Sequence, residues 1–147
     1  MGVRQTYLAT DEGWLYLAVV LDLYARKVVG WAMSERMTAQ LTCDALRMAF
    51  RRRKHPRGVI LHSDRRLLKA HSLMASMNKK GDYYGITAME SWNHSLKVDA
   101  IHGERFATRQ DAGNHVFEYI EIYYNRKRPH SGFEYLSPEA LEQRYVA

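Results

Sequence analysis

Trp14-Leu15-Tyr16-Leu17-Ala18-Val19-Val20-Leu21 is an uninterrupted apolar run. Its length suits a strand, and its lack of polar alternation suits one buried on both faces. Just before it, Asp11-Glu12-Gly13 is a turn signal, and Thr6-Tyr7-Leu8-Ala9-Thr10 reads as a strand entering that turn. On its other side, Lys27-Val28-Val29-Gly30-Trp31-Ala32 follows a short turn as a third strand. Three strands joined by tight turns form an antiparallel meander.

Beyond the meander the apolar period changes. Thr38 can cap a helix on which Leu41, Ala45, Met48 and Ala49 recur at helical spacing, and Pro56 with Gly58 stops it. Gly58-Val59-Ile60-Leu61-His62 reads as a short buried strand that ends at Ser63-Asp64. A second helix covers about Ala88 to Ala100. A third starts at Thr108, which pairs with Asp111 in a capping-box-like arrangement, and runs to about Tyr124. The order is β-β-β-α-β, then a difficult stretch, then α-α, an α/β plan with a mixed sheet.

The chain has 147 residues, enough for one domain with a real core and too few for two comfortable ones. No repeat or Pro/Gly-rich linker divides it, so residues 1–147 are read as a single domain, with about 126–147 as a basic C-terminal tail. Apolar residues make up 46% of it, which is ordinary for a globular protein. No stretch is long and apolar enough for a spanning helix, so no membrane partner is expected. The N-terminus lacks the apolar run of a signal peptide, and the single Cys43 has no internal disulfide partner. A reducing, cytoplasmic setting fits both. The net charge is +6 and the pI about 9.5, a balance common among proteins that neutralise phosphates. Many basic proteins do not bind nucleic acid, so charge alone leaves that open.

Two carboxylates are placed for chemistry. Asp64 follows the carboxyl end of a buried strand, where open α/β sheets hold their ligands. Glu90 opens a helix on which Met89, Trp92 and Leu96 form an apolar stripe and Glu90, Asn93, His94 and Lys97 a polar one. Seven residues return Lys97 to nearly the azimuth of Glu90, about 10 Å along the axis. A carboxylate and a cation so arranged suit a divalent metal beside a phosphate, and equally suit an ordinary solvated helix face.

The stretch from Thr10 to Asp22 resembles the retroviral-type integrase core of insertion-sequence transposases. So do Val28-Val29-Gly30-Trp31, His62-Ser63-Asp64-Arg65, Met89-Glu90-Ser91, and Tyr124-Asn125-Arg126-Lys127-Arg128-Pro129-His130 followed by Leu136-Ser137-Pro138-Glu139. These segments keep the family order over nearly the whole chain. The resemblance implies an RNase H-like fold with a mixed five-stranded sheet and flanking helices, in the order β-β-β-α-β-(α-β)-α-α with the bracketed part shortened. It also implies DNA as partner, transposition and DNA integration as the process, and Mg²⁺ or Mn²⁺ held by an Asp-Asp-Glu triad. Two-ion sites suit phosphodiester attack, and hard cations prefer carboxylate oxygens. By motif Asp64 matches the second Asp, Glu90 the Glu, and Lys97 a DNA-contacting basic residue. Asn93, Arg126, Lys127, Arg128 and His130 are the other candidate DNA contacts.

The chain departs from the pattern in three places. Arg4 stands where the first catalytic Asp is expected, two residues before Thr6-Tyr7. Unit charges about 4 Å apart interact by about 4 kcal/mol at an effective dielectric of about 20, so reversing one beside a metal should weaken binding severely. Asp22 is the nearest substitute, but pairing around Asp11-Glu12 sets it opposite the extreme N-terminus rather than Arg4. The interval from Asp64 to Glu90 is about ten residues short of the family's, and Arg65 to Ser72 is too brief for a normal helical crossover. The family normally carries an N-terminal DNA-reading domain, whereas these residues open inside the core, so sequence-specific recognition of element ends is not expected of them.

Plainer roles stand beside these. Arg51-Arg52-Arg53-Lys54 can complement a helix dipole as well as contact phosphate. His62 reads as a strand-end residue, and Tyr119, Ile120, Tyr123 and Tyr124 as core or dimer surface. Three readings follow: an impaired core that still binds DNA, a working strand transferase with a substitute carboxylate, and a regulator that co-assembles with an intact relative. Arg4 and the short interval favour the first and third.

Overall fold

The computed structural model describes residues 2–22, 25–52, 82–129 and 136–146. The expected strand at Gly58–His62, Asp64, the short 65–72 connection and His130 lie outside these residues.

Three strands, β1 (Gly2–Thr10), β2 (Gly13–Leu21) and β3 (Val28–Ser34), form an antiparallel sheet in the order β1-β2-β3. The hairpin register runs from Gly2 opposite Leu21 to Thr10 opposite Gly13, so Asp11-Glu12 is a two-residue turn. Gly13, at φ 126°, takes a backbone conformation that a side chain would strain. β1 begins four residues earlier than its apolar pattern indicates. Arg4 and Gln5 are polar, but Val19 and Ala18 opposite them supply the ladder bonds that draw them into the strand.

Both faces of β2 are covered, which explains its unbroken apolar run. Leu17, Ala18, Val19, Val20 and Leu21 are fully buried. Ala18 and Val20 join Val3 and Val29 against Leu41, Ala45, Leu46 and Ala49 of α1 (Ala39–Arg52). Leu15, Leu17, Val19 and Leu21 face the opposite way, onto Met89, Trp92, Leu96, Val116, Ile120 and Tyr124. Each fully buried aliphatic side chain contributes about 1.5–3 kcal/mol, so this middle strand anchors both layers. At the start of α1, Thr38 gives its backbone carbonyl to the Leu41 N–H at 3.2 Å, rather than capping through its hydroxyl.

The second layer comes from α2 (Asp82–Ser95) and α3 (Arg109–Glu118). α2 starts about six residues before its expected boundary. Gly85 weakens the helical signal there by only about 1 kcal/mol, which packing on the sheet can overcome. Thr108 caps α3 as expected, its hydroxyl accepting the Asp111 N–H at 3.0 Å. Each helix ends in a widened π turn, Leu96–Ile101 and Tyr119–Tyr124. Val116, Ile120 and Tyr124 recur every four residues and so overrun a 3.6-residue turn; i→i−5 bonds such as Asn125 N–H to Ile120 O, 3.2 Å, take up the excess.

A last helix, α4 (Pro138–Val146), occupies much of what the sequence reads as a basic tail. Its start signal is present: Ser137 Oγ accepts the Ala140 N–H at 3.2 Å, and Pro138 follows as the first helical residue. The described part is thus an α/β arrangement with helices on both faces of a three-stranded sheet.

Candidate nucleic-acid and metal site

Arg4 pairs with Val19, and Val19 lies in the cluster that includes Met89 and Trp92 of α2. Residues paired across a sheet share a face. Arg4 therefore lies half-buried on the side of the sheet that α2 covers. Asp22 lies one residue beyond Leu21, which faces Gly2, so the register sets it at the N-terminal end and away from Arg4. Its Oδ1 accepts the Ala25 N–H at 3.3 Å within its own turn.

On α2 the apolar stripe packs inward as expected, with Met89, Trp92 and Leu96 at most 5% exposed. Glu90, His94 and Lys97 are exposed, and Asn93 is half-buried. The Trp92 ring meets Tyr124 edge-on, with centroids 4.7 Å apart. Among the described residues, Trp92 Nε1 and Asn93 Oδ1 are buried without a hydrogen-bond partner. Such groups cost about 1–3 kcal/mol each.

The basic segment after α3 is held by ion pairs. Arg126 Nε lies 3.5 Å from Glu139 of α4, and Arg128 Nε lies 2.7 Å from Asp99 Oδ2 at the end of α2. The Tyr119 hydroxyl donates to the same Asp99 oxygen at 2.9 Å. Burial opposes the Arg128 charge, but its bond to Asp99 and the nearby negative charge raise its pKa on balance. Lys127 is exposed. Arg52, one of the cations at the end of α1, pairs with Glu121 at 2.8 Å, and Glu121 also accepts from Trp31 Nε1 at 2.8 Å. Tyr119, Ile120 and Tyr124 are core, while Tyr123 is 41% exposed.

The hairpin tip, expected only as a turn, and Asn125, quoted only within a motif, both make long-range contacts. Glu12 Oε1 accepts the Arg109 N–H at 2.7 Å, and the Asp11 N–H donates to Phe106 O at 2.9 Å. The tip thus places a carboxylate at the start of α3, where helix N-termini favour negative charge. The acidic pair at a tight turn, with a helix start far along the chain, was the available signal.

Three carboxylates would hold two divalent ions. Among the described residues, no group of three or more His, Cys, Asp or Glu side chains gathers about one point. The β1 position is a guanidinium, which repels a cation. Of the three positions the resemblance names, Glu90 is a described carboxylate, Arg4 does not suit a cation, and Asp64 lies outside the described residues.

The integrase core domain family matches residues 5–67, and a second integrase core domain family matches residues 90–145. The chain belongs to the insertion-sequence transposases with an integrase-type core. It is 55% identical over 152 residues to the transposase InsF for insertion sequence IS3A of Escherichia coli (strain K12), covering 97% of this chain and 53% of that protein. It is 44% identical over 150 residues to the insertion element IS600 31 kDa protein of Shigella sonnei, covering 95% of this chain and 55% of that one. The chain spans about half the length of these curated relatives. The alignment of 152 residues is longer than the 147 of this chain, so the first relative carries residues that this chain lacks. The interval between the two family matches, 68–89, falls within the stretch from Asp64 to Glu90 that is expected to be short. Among the described residues, no helix is long and apolar enough to cross a membrane.

Proposed function

We propose that this chain is a DNA-binding transposase core of RNase H-like, five-stranded type whose strand-transfer centre is impaired. The observation that carries the reading is Arg4, a cation on the α2-covered face of β1 where the resemblance asks for an acid. Asp64 and Glu90 remain as two of three expected carboxylates, enough for weak Mg²⁺ or Mn²⁺ binding at most. Binding to DNA is electrostatic and tolerant of sequence, through Lys97, Asn93 and the 126–130 segment, including His130. The basic balance and the family membership support it.

The test is to incubate the chain with duplex DNA and Mn²⁺ and look for nicks. Salt-sensitive DNA binding with little or no nicking is expected. Robust cleavage that Asp64→Asn abolishes would overturn the impairment. A strong preference for one duplex, or binding indifferent to salt, would overturn the electrostatic reading.

A second reading, a regulator that co-assembles with an intact transposase, draws support from one observation. Phe117, Ile122 and Tyr123, close in sequence on the α3 segment, are each more than 40% exposed. Mixing the chain with an intact relative should then lower that relative's strand transfer, and Phe117→Asp should relieve the effect.

A further inference from the structure

The cations of the candidate DNA surface are not equivalent. Arg126 and Arg128 already meet carboxylates, and Lys97 and Lys127 have exposed side chains that make no hydrogen bond or ion pair among the described residues. The Arg128–Asp99 pair differs from an ordinary surface pair. Both side chains are about three-quarters buried, the contact is 2.7 Å, and the same carboxylate oxygen accepts a second bond from Tyr119. The backbone adds to it: the Arg128 and Lys127 N–H groups both donate to Tyr123 O, at 2.7 and 2.8 Å. The Nε–H of Arg128 is spent on Asp99, which fixes the guanidinium plane and offsets its charge, and losing that bond would leave the Asp99 carboxylate with only Tyr119. Asp99 lies two residues after Lys97, and Arg128 one residue after Lys127. The pair therefore joins the two chain segments that carry Lys97 and Lys127.

We propose that Arg128 is a positioning residue: bound to Asp99, it fastens the turn after α3 to the end of α2, so that Lys97 and Lys127 meet one phosphodiester backbone together. This rests on the DNA-binding reading above. Arg128 then contributes to affinity through geometry, and its own charge adds little to counterion release.

The experiment titrates a fluorescent duplex with the full chain at several salt concentrations. Lys97→Gln and Lys127→Gln should each lower the salt slope by about 0.9, the value for one phosphate contact. Asp99→Asn removes a negative charge, which by simple electrostatics should tighten binding. Fastening gives the opposite sign, a loss of about fivefold, as expected of contacts that act as a unit. Tyr119→Phe, which leaves the charge unchanged, should weaken binding in the same direction by a smaller factor. It keeps the question answerable should Asp99→Asn lose its fold by circular dichroism. On an Arg128→Gln background, Lys97→Gln should cost less than it does alone. Tighter binding by Asp99→Asn with a steeper slope, or strict additivity of Lys97→Gln and Arg128→Gln, would overturn the positioning role while leaving DNA binding intact. Absence of salt-dependent binding by the unaltered chain would overturn both.

Discussion

The side-chain amide of Asn125 exchanges two hydrogen bonds with the backbone of Val28: Oδ1 accepts the N–H at 2.9 Å, and Nδ2 donates to the carbonyl at 3.0 Å. Asn125 is 2% exposed, and its own carbonyl accepts the Glu139 N–H at 2.8 Å. One residue thus acts as a strand partner for the start of β3 and as an anchor for the first turn of α4. Its amide plane carries the donor and the acceptor that a β-ladder would otherwise supply.

Replacing Asn125 by Ala should cost about 2–4 kcal/mol, since both Val28 groups would be left buried and unpaired. Asn125→Asp should be no better, because it keeps the acceptor, loses the donor and buries a charge. Urea denaturation of the two variants checks this. A loss under about 1 kcal/mol for both would mean that water replaces the amide without penalty.

At Gly30 the backbone of α1 comes close against β3. A Cβ built there would lie 2.8 Å from the Ala49 backbone nitrogen and would also press on the Ala45 carbonyl. Backbone cannot swing aside as a side-chain end can, so Gly30→Ala should destabilise by about 1–3 kcal/mol, the usual penalty for overpacking. A melting temperature unchanged by this substitution would show that α1 slides outward freely.

Tyr119 and Tyr124 set an alkaline limit on stability. Burial raises the Tyr119 pKa above its ordinary 10.0, helped by its bond to Asp99 and that residue's charge; burial likewise raises Tyr124, against the opposing charges of Arg128 and Arg26. In the unfolded chain both ionise near pH 10, while in the folded chain both keep their protons. Their contribution is therefore complete below about pH 10 and declines above it, by up to about 1.4 kcal/mol per pH unit for each ring. Urea midpoints measured from pH 8 to 11 should fall over the upper part of that range. Tyr119→Phe should fall less steeply, and equal slopes for the two proteins would count against this assignment.

The legible part of the fold was its locally determined part. The run from Trp14 to Leu21 announced a strand covered on both sides, and Thr108 with Asp111 announced a helix start; both depend on neighbours in sequence. The beginning of β1 was not legible, because Arg4 and Gln5 become strand only through Val19 and Ala18 across the hairpin. Asn125 was quoted within a motif without a mechanism, since its partner Val28 is far away in sequence and contributes only backbone. On α2 the burial of Met89, Trp92 and Leu96 and the exposure of Glu90 and Lys97 followed from helical period alone. The pairing of Arg128 with Asp99 did not, because it depends on where two π turns bring the ends of α2 and α3.

Arg4 is where the impairment can be tested by a single change. It lies half-buried opposite Val19, on the face covered by α2, and the motif asks for an Asp there. Arg4→Asp exchanges a repelling charge for an attracting one and should strengthen Mn²⁺ binding by at least about tenfold, a modest share of the roughly 4 kcal/mol between close unit charges. Calorimetric titration of Mn²⁺ reads this without reference to activity. Should charge be the main lesion, nicking appears together with the tighter metal binding. Should the short connection at 65–72 also displace Glu90, metal binding improves while nicking stays absent. Turnover then returns only when about ten residues are added after Arg65 in the Arg4→Asp background, which restores room for a normal crossover. Unchanged Mn²⁺ affinity in Arg4→Asp would show that position 4 does not face the metal, and the impairment would have to be sought in the 65–72 connection alone.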